Sequence, residues 1–269
     1  TDGWLKIDPI TDKVTVTVTE KSDTVVYDGT EHSITGYGTM VSNNALYDVA
    51  NVAETPTDKW TAKGTNVGEY PVGIAAGDFK NTSRNFTNVE FIVVDGALNI
   101  TPVTDKVTVT IVEKADTIIY DGTEHSITGY ESMTADNALY DIANVAETPT
   151  AAWTAKGTDA GEYPVGIEAG DFKNTSGNFT NVEFIVVDGT LNITPAANVV
   201  VKIAGNTKTV VYNGTEQSVT GYTTDVGSKT ISVTLNETGK DTAKGTNVGK
   251  YEMGLTADDF TVTSSNYSN

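Results

Sequence analysis

The chain of 269 residues contains no cysteine. This absence excludes disulfides, thiolate metal ligands and cysteine nucleophiles, although it leaves the cellular compartment open. Basic residues are also few, because 17 lysines and arginines stand against 36 aspartates and glutamates, and the net charge is −19. A field of this sign repels phosphate backbones and anionic lipids, so we expect no nucleic-acid partner. No apolar run is long enough for a membrane-spanning helix, and we expect no membrane insertion.

What the sequence does contain is a threefold repeat. Residues 24–31 read Thr-Val-Val-Tyr-Asp-Gly-Thr-Glu, and closely similar segments return at 117–124 and 209–216. The copies lie about 93 residues apart, an ordinary size for an immunoglobulin-like sandwich. Asp-Gly and Asn-Gly tolerate positive φ at both central positions of a type I′ turn. Each copy therefore predicts a tight two-residue hairpin.

Prolines mark the expected boundaries between the repeats. Each of Pro9, Pro102 and Pro195 follows a short segment of the form Asp-Gly-x-Leu-x-Ile. Proline cannot donate to a β-ladder and therefore suits a module boundary. The linkers are short and contain no Gly/Ser tract, which predicts modules held in an elongated arrangement. The predicted divisions are the last strand of a preceding repeat and three immunoglobulin-like repeats, at residues 1–8, 9–101, 102–194 and 195–269.

Within the first repeat the pattern is that of strands. Val14, Val16 and Val18 alternate with threonines, which is typical of a half-buried strand. Residues 44–54 fit either a helix or a strand, but their counterpart at 229–236 alternates cleanly, so we predict a strand. Residues 89–100 predict either a second hairpin at Asp95-Gly96 or one long strand with a glycine bulge.

These patterns together predict an all-β fold made of three tandem immunoglobulin-like β-sandwich modules. Seven or eight strands are expected in each module, with no helix.

The ends of the sequence suggest an interaction between molecules. Residue 269 is the counterpart of Asn88, so we expect the third repeat to lack the strand equivalent to 89–94 and the closing Asp-Gly-x-Leu-x-Ile segment. Residues 1–7 form one such closing segment without the rest of its repeat. We hypothesise that residues 1–7 add as a strand to the open edge of a neighbouring molecule's third repeat. Apart from this contact we expect a monomeric rod.

The histidines do not predict catalysis. His32 and His125 occupy the same position in the first two repeats, where the third has Gln217. Glutamine can replace a hydrogen-bonding residue beside a turn but not a metal ligand or general base. We therefore expect no catalytic residue and no enzyme activity.

One aspartate recurs in all three repeats, as Asp78, Asp171 and Asp259. Aspartate readily hydrogen-bonds to the backbone just after it, so turn capping is the expected role. Calcium bound at the joints between modules is the alternative, and no other cofactor or metal is expected.

A lysine also recurs, as Lys63, Lys156 and Lys244. A lysine beside Asn or Asp with a nearby acid can form an intramolecular isopeptide crosslink in bacterial surface sandwiches. Each of these lysines, however, precedes Gly-Thr-x-x-Gly, a loop-like setting that favours a solvated charge.

Four aromatic residues are candidate ligand contacts. Tyr47, Trp60, Tyr140 and Trp153 have no aromatic counterpart in the third repeat. If they face solvent, they could hold a sugar ring or a protein partner. A core tryptophan that bridges two sheets explains the same pattern, and we favour that interpretation.

The combination of motifs resembles a known family. Tyr-Asp-Gly-Thr, a Gly-Tyr about seven residues later, Gly-Thr-x-x-Gly-x-Tyr and the closing Asp-Gly-x-Leu-x-Ile-x-Pro resemble the tandem YDG/MBG-type immunoglobulin-like repeats of Gram-positive cell-surface proteins. The resemblance implies an extracellular location at the cell wall and a non-enzymatic stalk or adhesin segment. Its alternative is a host-binding module that recognises immunoglobulin, mucin or another glycan. The family has no general binding site, so the resemblance assigns no functional residue.

Overall fold

The computed structural model describes residues 2–227, 229–237 and 240–268. In this part of the chain the protein is nearly all β, with short strands in several small sheets and a few three-residue 3-10 helices. The all-β prediction is confirmed. Thr1 and Asn269, the outermost positions of the predicted divisions, lie outside the described residues.

The chain divides into two compact units. The first unit comprises Thr1–Thr110, Thr134–Glu147 and Phe172–Ile185, and the second comprises Ile111–Met133, Thr148–Asp171 and Val186–Asn269. The division passes through the second repeat of the sequence. The predicted boundaries of three separate modules therefore stay a prediction.

The first repeat forms ten short strands, more than the seven or eight expected. Gly36, at a φ of +78°, separates two of them, which adds one strand to the count. The strands are β1 (Val14–Glu20), β2 (Asp23–Val26), β3 (His32–Thr35), β4 (Tyr37–Ser42), β5 (Val52–Glu54), β6 (Thr61–Gly64), β7 (Gly68–Pro71), β8 (Phe79–Asn81), β9 (Val89–Val94) and β10 (Ala97–Thr101), with 3-10 helices at Val49–Asn51, Asp58–Trp60 and Ala76–Asp78.

The second repeat follows the first element by element. Its elements are β11 (Val107–Glu113), β12 (Asp116–Ile119), β13 (His125–Thr128), β14 (Tyr130–Ala135), β15 (Val145–Glu147), β16 (Thr154–Gly157), β17 (Gly161–Pro164), β18 (Phe172–Asn174), β19 (Val182–Val187) and β20 (Thr190–Thr194), with 3-10 helices at Ile142–Asn144, Ala151–Trp153 and Ala169–Asp171.

The described part of the third repeat contains fewer strands. They are β21 (Lys202–Gly205), β22 (Gln217–Thr220), β23 (Tyr222–Asp225), β24 (Ser232–Leu235), β25 (Thr242–Gly245) and β26 (Phe260–Thr263), with a 3-10 helix at Ala257–Asp259.

Two three-stranded sheets organise the first repeat. In one, β1 lies between an antiparallel β4 and a parallel β9. In the other, β10 lies between a parallel β2 and an antiparallel β7. The pairs β3–β6 and β5–β8 complete the repeat. The second unit repeats these arrangements in the sheet β12–β20–β17 and the pair β13–β16, and its third repeat contains the pairs β21–β23, β22–β25 and β24–β26.

The predicted Asp-Gly hairpin is wrong, although a turn does form at this motif. The strands before and after the motif, β2 and β3, belong to different sheets. Gly29 has a φ of +78°, but Asp28 is not among the residues with positive φ, as a type I′ turn would require. The motif therefore carries the chain from one sheet to another, and β2 and β3 form backbone ladders with other strands.

The Asp95-Gly96 segment also carries the chain from one sheet to another. β9 pairs with β1, whereas β10 pairs with β2 and β7, so the chain changes sheets between them. The hairpin alternative is therefore wrong here too. A Cβ at Gly96 would lie 2.2 Å from the carbonyl oxygen of Lys21, so the backbones approach too closely for any other residue.

The segment 44–54 is a strand only at its end. The chain forms a 3-10 helix at Val49–Asn51 and the short β5 at Val52–Glu54, so the strand prediction is wrong for the residues before β5. The Asn44 side chain caps the turn by accepting from the backbone N–H of Leu46, at 2.9 Å. The counterpart in the third repeat does form a strand, β24.

The core of the first repeat is built on the inward face of β1. The valines at 14, 16 and 18 are fully buried, which confirms the predicted alternation. Burying an aliphatic side chain of this size stabilises the fold by about 1.5–3 kcal/mol. Val18 packs in one cluster with Trp60, Phe79, Leu98 and Ile100. The valines at 14 and 16 pack in a second cluster, with Tyr47 and Phe86.

Candidate functional site

The recurring Lys-Gly-Thr-x-x-Gly-x-Tyr motif forms a loop of fixed shape. The ring of Tyr70 lies over Gly64 so closely that a Cβ there would be 2.2 Å from the ring. The Tyr70 hydroxyl donates to the carbonyl oxygen of Asn66 at 2.8 Å. Residues 64–68 are thereby held in one conformation. We call this loop, and its counterparts at 157–161 and 245–249, the socket loop.

A second recurring turn presents an asparagine. The Asn174 side chain accepts from the backbone N–H of Ser176 and donates to the carbonyl oxygen of Phe179, both at 2.9 Å. The Ser176 hydroxyl accepts from the backbone N–H of Asn178 at 3.2 Å. These bonds fix the backbone that carries the Asn178 side chain. We call residues 176–179, and their counterparts at 83–86 and 264–267, the plug turn.

In the first unit the plug turn of the second repeat binds the socket loop of the first. The Asn178 side-chain oxygen accepts from the backbone N–H of Val67 at 2.9 Å, and its amide donates to the side-chain oxygen of Asn66 at 3.0 Å. The rings of Tyr27 and Phe179 meet edge to face with centroids 5.7 Å apart. A side-chain amide therefore satisfies a donor and an acceptor of the loop at once.

The second unit contains the same joint between the second and third repeats. The Asn266 side chain accepts from the backbone N–H of Ala160 at 2.7 Å and donates to the carboxylate of Asp159 at 2.8 Å. The rings of Tyr120 and Tyr267 pack edge to face at 5.3 Å. Here a carboxylate replaces the amide of Asn66, and hydrogen bonds to charged acceptors are the stronger kind. Asn266 is buried.

The histidines are hydrogen-bonding residues beside the turn, as predicted. His32 Nε2 lies 2.9 Å from Asp28 Oδ1, and His125 Nε2 lies 3.0 Å from Asp121 Oδ1. In the third repeat the amide of Gln217 donates to Asn213 Oδ1 at 3.3 Å. The hydrogen bonds from Thr30, with that from His32, lower the pKa of Asp28 to about 2. Bonds from Thr123 and His125 likewise lower the pKa of Asp121 to about 2.

The recurring aspartates cap 3-10 helices, so the turn-capping role is confirmed. The expectation that each bonds to the backbone just after it is wrong, because the bonded N–H lies three residues before it. Asp78 Oδ2 accepts from the backbone N–H of Ala75 at 3.0 Å, and Asp171 and Asp259 cap their own turns in the same way. Asp78 also accepts from the indole N–H of Trp60 at 2.8 Å. The bond from Ala75, followed by that from Trp60, lowers the pKa of Asp78.

The four aromatic candidates lie in the core. Tyr47, Trp60, Tyr140 and Trp153 are each 5% exposed. The Trp153 indole donates to Asp171 at 2.7 Å, as Trp60 does to Asp78. The Tyr47 and Tyr140 hydroxyls donate to Asn81 and Asn174. This placement agrees with the core interpretation, and a role in ligand contact stays a prediction.

The recurring lysines lie on exposed strand faces. Lys63 on β6 and Lys156 on β16 form surface ion pairs with Glu31 and Glu124, at 3.9 and 3.7 Å. Lys244 on β25 is also exposed. This setting favours the solvated charge, and the isopeptide crosslink stays a prediction for intact-mass measurement.

Two buried glutamates are key residues that the sequence interpretation missed. Glu20 accepts from the backbone N–H groups of Ile74 and Gly96, and Glu113 accepts from those of Ile167 and Gly189. The available signal was position, because Glu20 shares the inward-facing register of the three valines on β1.

Among the described residues, no group of three or more His, Asp or Glu side chains is placed to hold a metal ion. Nor is any helix in this part of the chain long and apolar enough to cross a membrane. The predictions that the chain has no cofactor and that calcium is the alternative remain untested.

Comparison with known proteins found no match to this chain among family models, curated proteins or solved structures.

Proposed function

We propose that this chain is a non-enzymatic spacer, a stalk or adhesin segment on the surface of a Gram-positive bacterium, made of three tandem immunoglobulin-like modules. The observation that supports it is that both joints between repeats use one device. An asparagine of the next repeat binds the loop of the preceding one, at Val67 and at Ala160. These contacts hold consecutive repeats together in addition to the short covalent linkers. A spacer built in this way keeps its length without binding a further partner.

The mechanism is geometric. The socket loop is fixed by a tyrosine of its own repeat and the plug turn by an asparagine of its own repeat. Both partners are therefore ordered before they meet, and the joint costs little additional conformational entropy. The first two repeats are nearly identical in sequence, which suits a spacer better than a single specialised binding site.

The joint can be tested by loosening it. Asn178→Ala and Asn266→Ala remove the side chains that bridge the repeats, and we expect faster motion between repeats, measured by NMR relaxation of backbone amides in dilute solution. Asn85→Ala is the matched control, because Asn85 is the equivalent asparagine in the plug turn of the first repeat. No socket loop among the described residues binds that turn. Unchanged relaxation in both joint variants would contradict the proposal.

The alternative is a module that binds host immunoglobulin, mucin or another glycan. Binding measurements distinguish it from a spacer. A spacer should show no saturable binding on a glycan array or to purified immunoglobulin and mucin. Saturable binding with a single dissociation constant, lost after substitution of exposed residues, would support the binding module instead.

A further inference from the structure

The first and last strand segments of the first repeat run side by side in one continuous register. β1 pairs in parallel with β9, and β2 pairs in parallel with β10. Val14 lies opposite Val89, 75 residues further along the chain, and the same separation holds from Asp23 onward in β2. Both segments therefore pass together from one sheet to the other. We call residues 14–26 and 89–101 the long parallel ladder.

Side chains bridge the point where the long parallel ladder changes sheets. The Glu20 carboxylate accepts from the backbone N–H of Gly96 at 2.7 Å. Two residues further on, the Ser22 hydroxyl accepts from the backbone N–H of Ala97 at 3.4 Å. Hydrogen bonds therefore connect the two segments even where no backbone pairing joins them.

The long parallel ladder is also bonded at both of its ends. At the first end, the backbone N–H of Val14 donates to the carbonyl oxygen of Asn88 at 2.9 Å. At the other end, the backbone N–H of Tyr27 donates to the carbonyl oxygen of Thr101 at 2.9 Å. The Thr101 hydroxyl donates in turn to the carbonyl oxygen of Val25 at 3.1 Å. The two segments are thus connected along their whole length.

The covalent chain enters and leaves the first repeat at opposite ends of this ladder. It enters through Pro9, ahead of β1, and it leaves through Pro102, directly after β10. Because the paired segments are parallel, tension along the chain pulls them past each other in opposite directions. The hydrogen bonds of the ladder then carry the load together. If the two segments were pulled apart from the same end, these bonds would break one after another.

The second unit contains the corresponding part of the second repeat, with the same arrangement. β12 pairs in parallel with β20. The Glu113 carboxylate accepts from the backbone N–H of Gly189 at 2.7 Å, and the Thr194 hydroxyl donates to the carbonyl oxygen of Ile118 at 3.0 Å. The bridging carboxylate and the closing threonine are therefore features of both repeats.

We propose that the first repeat is a load-bearing module, and that its long parallel ladder is the element that resists tension along the chain. The biological role of this property rests on the proposed spacer function, because a stalk segment is loaded along its chain when its far end is pulled. The resistance itself belongs to one folded repeat. It can therefore be measured separately from the joints between repeats.

Single-molecule force spectroscopy of the full chain tests the ladder through the direction of pulling. The chain contains no cysteine, so a pair of introduced cysteines defines the two points of attachment. Asp12→Cys with Asp105→Cys loads the first repeat along the chain. Asp12→Cys with Arg84→Cys pulls the same two segments apart from one end. All three positions are exposed, so the substitutions should leave the fold unaffected.

We expect unfolding along the chain to need at least about twice the force of unfolding from one end, at the same loading rate, because the ladder bonds are loaded together. Unfolding of the first repeat between positions 12 and 105 should lengthen the molecule by roughly 300 Å, the extended length of about 90 residues. This length identifies the event that is compared.

Two threonine variants separate the ladder from general stability. Thr101→Val and Thr82→Val each remove one hydroxyl that donates to a backbone carbonyl oxygen, that of Val25 at 3.1 Å and that of Asn51 at 2.7 Å. The second bond lies beside the β5–β8 pair, outside the ladder. Urea denaturation should show similar losses of stability for both variants. Under force along the chain, Thr101→Val should unfold roughly two- to tenfold faster, the equivalent of one hydrogen bond, whereas Thr82→Val should unfold at the original rate.

Equal unfolding forces in the two pulling directions would overturn the proposal, and so would an equal effect of the two threonine variants on the unfolding rate under force. Neither measurement involves Asn178 or Asn266. A failure here therefore leaves the joints of the spacer standing, and unchanged NMR relaxation in the joint variants would leave the load-bearing property of the single repeat standing.

Discussion

The Oε2 atom of Glu20 accepts a hydrogen bond of 2.7 Å from the backbone N–H of Gly96, 76 residues further along the chain. Its other oxygen accepts from Ile74. One buried carboxylate therefore satisfies two backbone donors where the chain changes sheets.

Removing this carboxylate should be costly. Glu20→Ala leaves both amides without an acceptor, and since each stranded donor costs about 1–3 kcal/mol, we expect a loss of about 2–6 kcal/mol in unfolding free energy. Glu20→Gln should lose less, because its amide oxygen still accepts one bond. Urea denaturation measures the effect, with Glu69→Ala on an exposed position of β7 as control. Equal stability of the two alanine variants would contradict this role.

The tyrosine that covers the socket loop leaves no room for a side chain at Gly64 unless its ring moves. In Gly64→Ala the new Cβ would meet the ring of Tyr70 at 2.2 Å, and the ring would have to move. We expect a loss of about 1–3 kcal/mol, the usual cost of an overpacked site. Gly77→Ala is the control, because nothing lies within 4 Å of its Cβ position. Thermal denaturation should show a lower Tm for the first variant only, and a shift of similar size in both would count against the account.

The turn aspartates should contribute to acid denaturation. The pKa of Asp28 is lowered from 3.8 to about 2, and that of Asp121 likewise. A lowered folded-state pKa gives stability that is present above pH 3.8 and is lost as the pH falls toward 2. The unfolding free energy of the double variant Asp28→Asn and Asp121→Asn should therefore depend less on pH in this range. Urea midpoints measured from pH 2 to 6 test this.

The third repeat supplies the converse test. It has Asn213 at this position, so Asn213→Asp should steepen the same acid branch by adding a carboxylate that Thr215 and Gln217 can donate to. A profile that none of these substitutions alters would show that other carboxylates control acid unfolding.

The bond from Trp60 to Asp78 should be visible in the titration of the carboxylate. Trp60→Phe keeps an aromatic ring but removes the indole donor, so the pKa of Asp78 should rise toward its ordinary value while the bond from Ala75 remains. Stability should fall by at least about 1 kcal/mol. Carbon-detected NMR titration measures the pKa. Trp4→Phe, at an exposed position, should change neither quantity.

The sequence predicted well those features that depend on neighbouring residues. The alternation of valine and threonine in β1 gave a strand with the correct buried face, and the interchange of His32 and Gln217 predicted a hydrogen bond beside a turn. The capping aspartates were also correct, because a cap joins residues only three apart.

Local sequence patterns could not predict features that depend on which strands pair with each other. Asp28-Gly29 gives a turn, but whether the flanking strands pair is decided by β10 and β6, far along the chain. The same limit applies to the joint, since Val67 and Asn178 are 111 residues apart and the recurring motif around Val67 does not indicate which residue it binds. Glu20 is different, because the alternation along β1 already places its side chain on the buried face and could have predicted its burial.

The distance between Val67 and Asn178 also bears on how the chain is made. A polypeptide synthesised from its N-terminus exposes the first socket loop long before its asparagine leaves the ribosome. By then the first repeat has all its own strands, because β10 precedes Asn178 in the chain. Each repeat can thus fold as it is synthesised, and it binds the preceding repeat only when it is nearly complete. This order limits mispairing between neighbouring repeats of almost the same sequence.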